Sequence, residues 1–133
     1  MTGFQRKRDI RAPSRTNRQV DIVRADKETD QEFYGGLIRL HILHHAAEEP
    51  VFGLWLIEEL QRHGYRIGPG TLYPILHSLE KRGLLRSNAL HEGRSRRRMY
   101  SVTTKGRRTL ERAKGKVWEL FGEIFEDEER KRK

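Results

Sequence analysis

The stretch Ile67-Gly68-Pro69-Gly70-Thr71-Leu72-Tyr73-Pro74-Ile75-Leu76-His77-Ser78-Leu79-Glu80-Lys81-Arg82-Gly83-Leu84-Leu85 decides how this chain folds. Leu72, Ile75, Leu76 and Leu79 fall at i, i+3, i+4 and i+7, so a helix through them turns four apolar side chains towards one core. The opposite face is Gly70, Tyr73, Pro74, His77 and Lys81. Solvated helix faces are dominated by Glu, Lys and Gln, so a face of Gly, Pro, Tyr and His is shaped to lie against something. Gly68 and Pro69 mark the start, with Pro at the first helical position where its missing N–H costs nothing. Gly83 marks the stop. Pro74 then sits inside the helix, removes one backbone bond and predicts a slight bend. The other start, with Thr71 as cap, would put Pro74 in the first turn.

Outward from this helix, Leu84 to Leu90 can extend as a strand, His91 to Ser95 form a polar turn, and Arg96 to Val102 can return as a second strand. Four of the five residues Arg94 to Arg98 are arginine. A helix with a sculpted outer face, followed by a hairpin tipped with arginine, is the arrangement of a winged helix-turn-helix. In it the helix enters the major groove and the wing reaches along phosphates.

The residues Gly70 to Glu80, then Gly83-Leu84-Leu85, Arg97 with Tyr100, and Thr103 to Gly106 are similar to the PadR-like transcriptional regulators. Pro50-Val51-Phe52-Gly53 matches that family's short link between its first two helices. The resemblance runs from about Gly36 to Gly106, in order and at the right spacings. It departs at Leu54, where the family usually has tyrosine, and in a longer basic N-terminal arm. By matched position it implies that Thr71, Tyr73, Pro74 and His77 meet the major groove, and that Arg94, Arg96, Arg97 and Arg98 belong to the wing and phosphates. Tyr73 could instead be structural, and Arg97 and Tyr100 could partly serve to fix the hairpin. The resemblance further implies a two-fold dimer and repression by occupying a promoter.

Composition agrees with a polyanionic partner. The 133 residues carry a formal net charge of +9, 35% of them are charged, and the pI is about 10.2. Nucleic acid is the first partner such a balance suggests and an acidic membrane surface the second. The length suits one domain with a real core. The absence of cysteine excludes disulfides, thiolate metal sites and cysteine nucleophiles. No apolar run approaches the roughly 18 residues of a membrane span, so the expectation is a cytoplasmic protein that does not engage a membrane.

Residues 1–28 hold Arg6, Lys7, Arg8, Arg11, Arg15, Arg18, Arg24 and Lys27 with few large apolar residues, and read as a flexible basic arm. It could equally be a solvated tail without a role. From Asp30 to Ala47 the pattern is helical, with Phe33, Leu37, Leu40 and Leu43 or His44 on one face and Ile38 and Ile42 widening it. His41, His44 and His45 lie at i, i+3 and i+4, a spacing that could bring imidazoles to one metal. Such histidines more often serve packing and polarity, and no acidic or cysteine partner stands out nearby, so neither metal nor cofactor is expected. Leu54 to Arg62 forms a second short helix with Trp55, Leu56 and Leu60 apolar, and Gly64 is placed for a left-handed C-cap.

Residues 29–104 thus form the winged domain, and residues 105–133 a last helix with a charged end. Thr103 can cap that helix, and Leu110, Ala113, Val117, Leu120 and Ile124 recur at spacings of 3, 4, 3 and 4, with Trp118, Phe121 and Phe125 beside them. That apolar face is too wide for one small domain to cover, so it predicts dimerisation through Leu110, Val117, Leu120, Phe121 and Ile124. Packing against the chain's own first helix is compatible with this. Trp118 and Phe121 could line a small-molecule effector pocket at the dimer interface, as in drug-responsive relatives, although Trp118 falls one position from their aromatic residue.

The expected fold is mainly α with a small β-hairpin, a winged helix-turn-helix followed by a long C-terminal dimerisation helix. The expected function is a dimeric repressor that binds double-stranded DNA. The alternative is a basic winged module for RNA binding or protein assembly. Neither a carboxylate pair nor a phosphate loop is present, so no catalytic constellation emerges and no enzyme is expected.

Overall fold

A computed structural model describes residues 15–132. In chain order its elements are α1 (Arg15–Glu48), β1 (Val51–Phe52), α2 (Gly53–Arg62), α3 (Pro69–Lys81), β2 (Leu85–Glu92), β3 (Ser95–Val102) and α4 (Thr104–Arg132). The described residues up to Gly35 and those from Gly36 onward fall in two separate units. The second unit holds the winged domain and α4, with a three-stranded antiparallel sheet in the order β1-β3-β2.

The core is built as the periodicity of α3 requires. Leu72, Ile75, Leu76 and Leu79 are all buried, and they join Ile38, Ile42, Leu43 and Ala46 of α1, Leu56, Ile57 and Leu60 of α2, and Tyr100 and Val102 of β3. α3 starts at Pro69 and continues through Pro74 to Lys81. Both short helices end in the same way. Gly64 and Gly83 take positive φ of 91° and 81°. The next residue then donates back into the last turn, Tyr65 N–H to Leu60 O and Leu84 N–H to Leu79 O, at 3.0 and 2.9 Å. A β-carbon strains this backbone, which is why glycine marks both stops.

Three differences from the sequence reading have physical causes. α1 begins at Arg15, well before Asp30, so residues 15–28 of the expected flexible arm are helical, while residues 1–14 lie outside the described residues. No glycine or proline interrupts the chain from Arg15 to Tyr34, and Arg, Gln, Ala, Lys and Glu there all favour helix. Along the rest of α1 the buried face is that of Ile38 and Ile42, and Phe33 and Leu37 are exposed. Finally, Val51 and Phe52 add a third strand by pairing with Tyr100 and Met99. Two residues are too few to show an alternation.

The wing is longer and its turn tighter than expected. β2 and β3 pair from Leu85↔Val102 to Glu92↔Ser95, leaving a two-residue turn at Gly93-Arg94. Alternation along β3 sets Arg96 and Arg98 on the same face as buried Tyr100 and Val102. α4 is tied down at its first turn. Thr103 caps it, accepting from Gly106 N–H at 2.9 Å while donating to Gly83 O. Lys105 Nζ donates to Arg82 O at 2.8 Å, adding positive charge at the C-terminal end of α3.

Leu110 requires a correction. It is 6% exposed and belongs to the core of its own domain, so it anchors α4 rather than contributing to a seam for a partner. Further along α4, Val117, Trp118, Leu120, Phe121, Ile124 and Phe125 are exposed.

A β-carbon on Gly106 would run into Leu84 O and lie 2.6 Å from Val102 Cγ2, whereas one on Gly115 would meet nothing within 4 Å. Gly106→Ala should therefore destabilise the fold by about 1–3 kcal/mol even though alanine favours helix. Gly115→Ala should stabilise it by up to about 1 kcal/mol. Urea unfolding of both variants checks the contrast, and a Gly106→Ala protein as stable as wild type would contradict this packing.

Candidate nucleic-acid interface

The outer face of α3 and the adjoining arginines of β3 enclose an open cleft of about 320 Å³, lined by Phe52, Gly53, Leu54, Tyr73, His77, Arg96, Arg97, Arg98 and Tyr100. Five of the residues expected to touch nucleic acid therefore meet at one place. Arg94 is exposed at the tip of the wing, beyond the cleft. Pro74 is exposed and Thr71 half-buried on α3.

Each cleft residue is held differently. Tyr73 is 37% exposed, and its ring packs on the backbone at the start of α2, where a β-carbon on Gly53 would fall 2.7 Å from the Tyr73 hydroxyl. Tyr73 thus joins α3 to α2 as well as facing outward. Arg97 lies over the Phe52 ring, its guanidinium carbon 4.3 Å from the centroid. Arg98 donates to Ser87 Oγ at 3.0 Å, and that hydroxyl donates to Glu80 Oε2 at 2.7 Å, a relay from wing to α3. Burial, and then the charge of Glu80, push the Tyr100 phenol up. His77 is exposed on the α3 face.

Phe52, Gly53 and Glu80 entered the sequence reading only within the motifs that contain them, and Ser87 was not singled out; strand pairing sets Ser87 opposite Tyr100.

A second cluster lies away from the cleft. His41 and His45 of α1 face His63, the C-cap of α2, and one ligand atom from each lies within 4.8 Å of the others. His44, expected as part of this group, points instead towards Glu48 at 3.6 Å and is exposed. The acidic partner that the sequence reading missed is Glu59, buried on α2 four residues before His63, with Oε2 3.0 Å from His63 Nε2 and 3.5 Å from His45 Nε2. Burial alone would raise the Glu59 carboxyl. The His63 hydrogen bond and the charges of Arg62, His45 and His63 outweigh it and hold the carboxyl below its ordinary range. Burial, and then the neighbouring imidazoles, keep His41 below the usual histidine value and so favour its neutral form.

A third feature is an apolar groove of about 390 Å³ between α1 and α4, with Leu37, Leu40, Val117 and Trp118 among its walls. Trp118 is 75% exposed and stacks on Phe121 at 5.7 Å, although Phe121 is not among the groove's walls. Among the described residues, no helix is long and apolar enough to cross a membrane.

Comparison with known proteins agrees with this arrangement. A PadR family transcriptional regulator from Eggerthella lenta superposes with a TM-score of 0.67 at 30% identity, covering 81% of this chain and 93% of that one. A PadR-like transcriptional regulator from Bacillus cereus superposes at 0.62 with 26% identity, covering 72% and 94%. The transcriptional regulator Rv3488 of Mycobacterium tuberculosis is 50% identical over 96 residues, 71% of this chain and 89% of that protein. Residues 42–112 match the pattern of the Transcriptional regulator PadR-like family. With more than half of its length matched and its winged domain and α4 in place, the chain belongs to the PadR-like family of transcriptional regulators.

Proposed function

We propose that this regulator is a dimeric, sequence-specific repressor that occupies a promoter through α3 and the wing. The observation that carries the proposal is the cleft in which Tyr73 and His77 stand beside Arg96, Arg97 and Arg98. An imidazole and a phenol on the protruding face of a helix suit the edges of bases, and arginines on the adjoining strand suit the phosphates flanking them. Arg97 and Arg98 are pre-set by Phe52 and Ser87, which lowers the entropy lost when they engage. The chain's +9 charge supplies the long-range attraction to DNA.

The dimer would form through Val117, Leu120, Phe121 and Ile124 of α4. These side chains recur along one stripe and are all exposed, a run that a second copy can bury. The groove beside Trp118 is where an apolar effector would sit and bias the spacing of the two wings.

Two experiments test the reading. On a duplex selected by the protein from random sequence, His77→Ala should lose about 1–3 kcal/mol of binding and should lose less on unrelated duplex. Arg96→Ala should weaken both alike and flatten the dependence of log K on log salt by about 0.9 per contact. Equal losses for His77→Ala on the two duplexes would reject base reading by α3. For assembly, Val117→Asp with Ile124→Asp would bury unpartnered charge in the seam, so light scattering should report the 15.8 kDa of one chain. A double variant that remains dimeric would place the interface elsewhere.

A further inference from the structure

We propose that His41, His45, His63 and Glu59 form a binding site for a divalent transition cation of the zinc class, separate from the cleft between α3 and the wing. Imidazole nitrogen and carboxylate oxygen together suit Zn²⁺ and its near neighbours, which take four such donors in a tetrahedron. Ligand bonds of about 2.0–2.1 Å in that geometry put neighbouring donors about 3.4 Å apart. Glu59 Oε2 stands 3.0 Å from His63 Nε2 and 3.5 Å from His45 Nε2, close to that edge length. The three histidines offer ligand atoms within 4.8 Å of one another, a spread that small side-chain rotations close.

The strongest single sign is His45 Nε2. It is buried and makes no hydrogen bond, with Glu59 Oε2 3.5 Å away. Buried polar atoms are seldom left in that condition, and two ligands of one ion approach each other in this way without bonding. The surroundings fit as well. Trp55 packs edge-on against His45 at 5.2 Å, and Tyr65 edge-on against His41 at 5.3 Å, giving an apolar wall on each side. The Glu59 carboxylate is the one anionic donor of the set, a charge that three imidazoles alone would lack.

The placement also gives such an ion a mechanical effect. His41 and His45 sit one turn apart on α1, Glu59 lies in α2, and His63 caps α2 immediately before the Gly64 turn that leads into α3. A bound ion would fasten α1 to the end of α2 and stiffen the entry to α3.

The test uses the full chain, purified without an affinity tag and stripped of metal, and titrated with Co²⁺ and Zn²⁺. One Co²⁺ per chain should bind with the intense visible bands of tetrahedral coordination, Zn²⁺ should displace it, and Zn²⁺ should raise the Tm. His63→Gln and His45→Gln should each weaken Co²⁺ binding at least about tenfold. His63 is exposed at a helix end, so His63→Gln is expected to fold even if His45→Gln does not. His44→Gln should leave affinity unchanged. The proposal fails if the wild-type chain takes up neither ion. It also fails if His63→Gln binds as tightly as wild type, or if His44→Gln abolishes binding, which would move the ion to His44 and Glu48.

Discussion

Burial of one face of α3 is the constraint on which the rest of the domain depends. Leu72, Ile75, Leu76 and Leu79 each remove most of an apolar side chain from water, about 1.5–3 kcal/mol apiece. Together they match the net stability of a whole domain, about 5–15 kcal/mol. Rotating α3 about its axis would forfeit that burial, so the direction in which Tyr73, Pro74 and His77 point is a by-product of where the leucines must go. The caps at Gly64 and Gly83 fix the ends of the same helix, and Thr103 and Lys105 bind the start of α4 to its C-terminal turn. The face proposed to read DNA and the face that builds the core are thus two sides of one helix.

The wing shows how concentrated positive charge is tolerated. Arg96 to Arg98 are consecutive, and their mutual repulsion is relieved in different ways. Arg97 rests on Phe52, and Arg98 is tethered through Ser87 to Glu80. Among the described residues Arg94 and Arg96 make no such contact, and they lie furthest along the hairpin, where a polyanion is most accessible. This division leaves part of the charge pre-organised and part available to adapt, a useful combination for a backbone that varies in shape with sequence.

Much of this was legible in the sequence because it is local. The start of α3 at Pro69, the caps at Gly64, Gly83 and Thr103, and the strands flanking the Arg94–Arg98 cluster all follow from residue type and short-range spacing. What escaped depends on tertiary neighbours. Leu110 continues the heptad of α4 yet is buried in its own domain, because periodicity says which face is apolar and not what covers it. β1 has two residues and exists only through its pairing with β3. Tyr73 on Gly53 and Glu59 beside His45 each join different helices, and no local spacing rule brings them together, whereas Glu59 and His63 stand at i, i+4 and that pair was open to a spacing argument. The early start of α1 is a different kind of miss. A basic composition suggested an arm, but helix propensity without glycine or proline prevailed.

α3 and the wing are proposed to form one surface for duplex DNA. Amide NMR of the protein titrated with a duplex it has selected measures this directly. Shifts are expected at Thr71, Tyr73 and His77 and along Arg94 to Arg98, with α4 beyond Val117 largely unmoved. Shifts confined to α4, or absent from both α3 and the wing at saturating DNA, would contradict it.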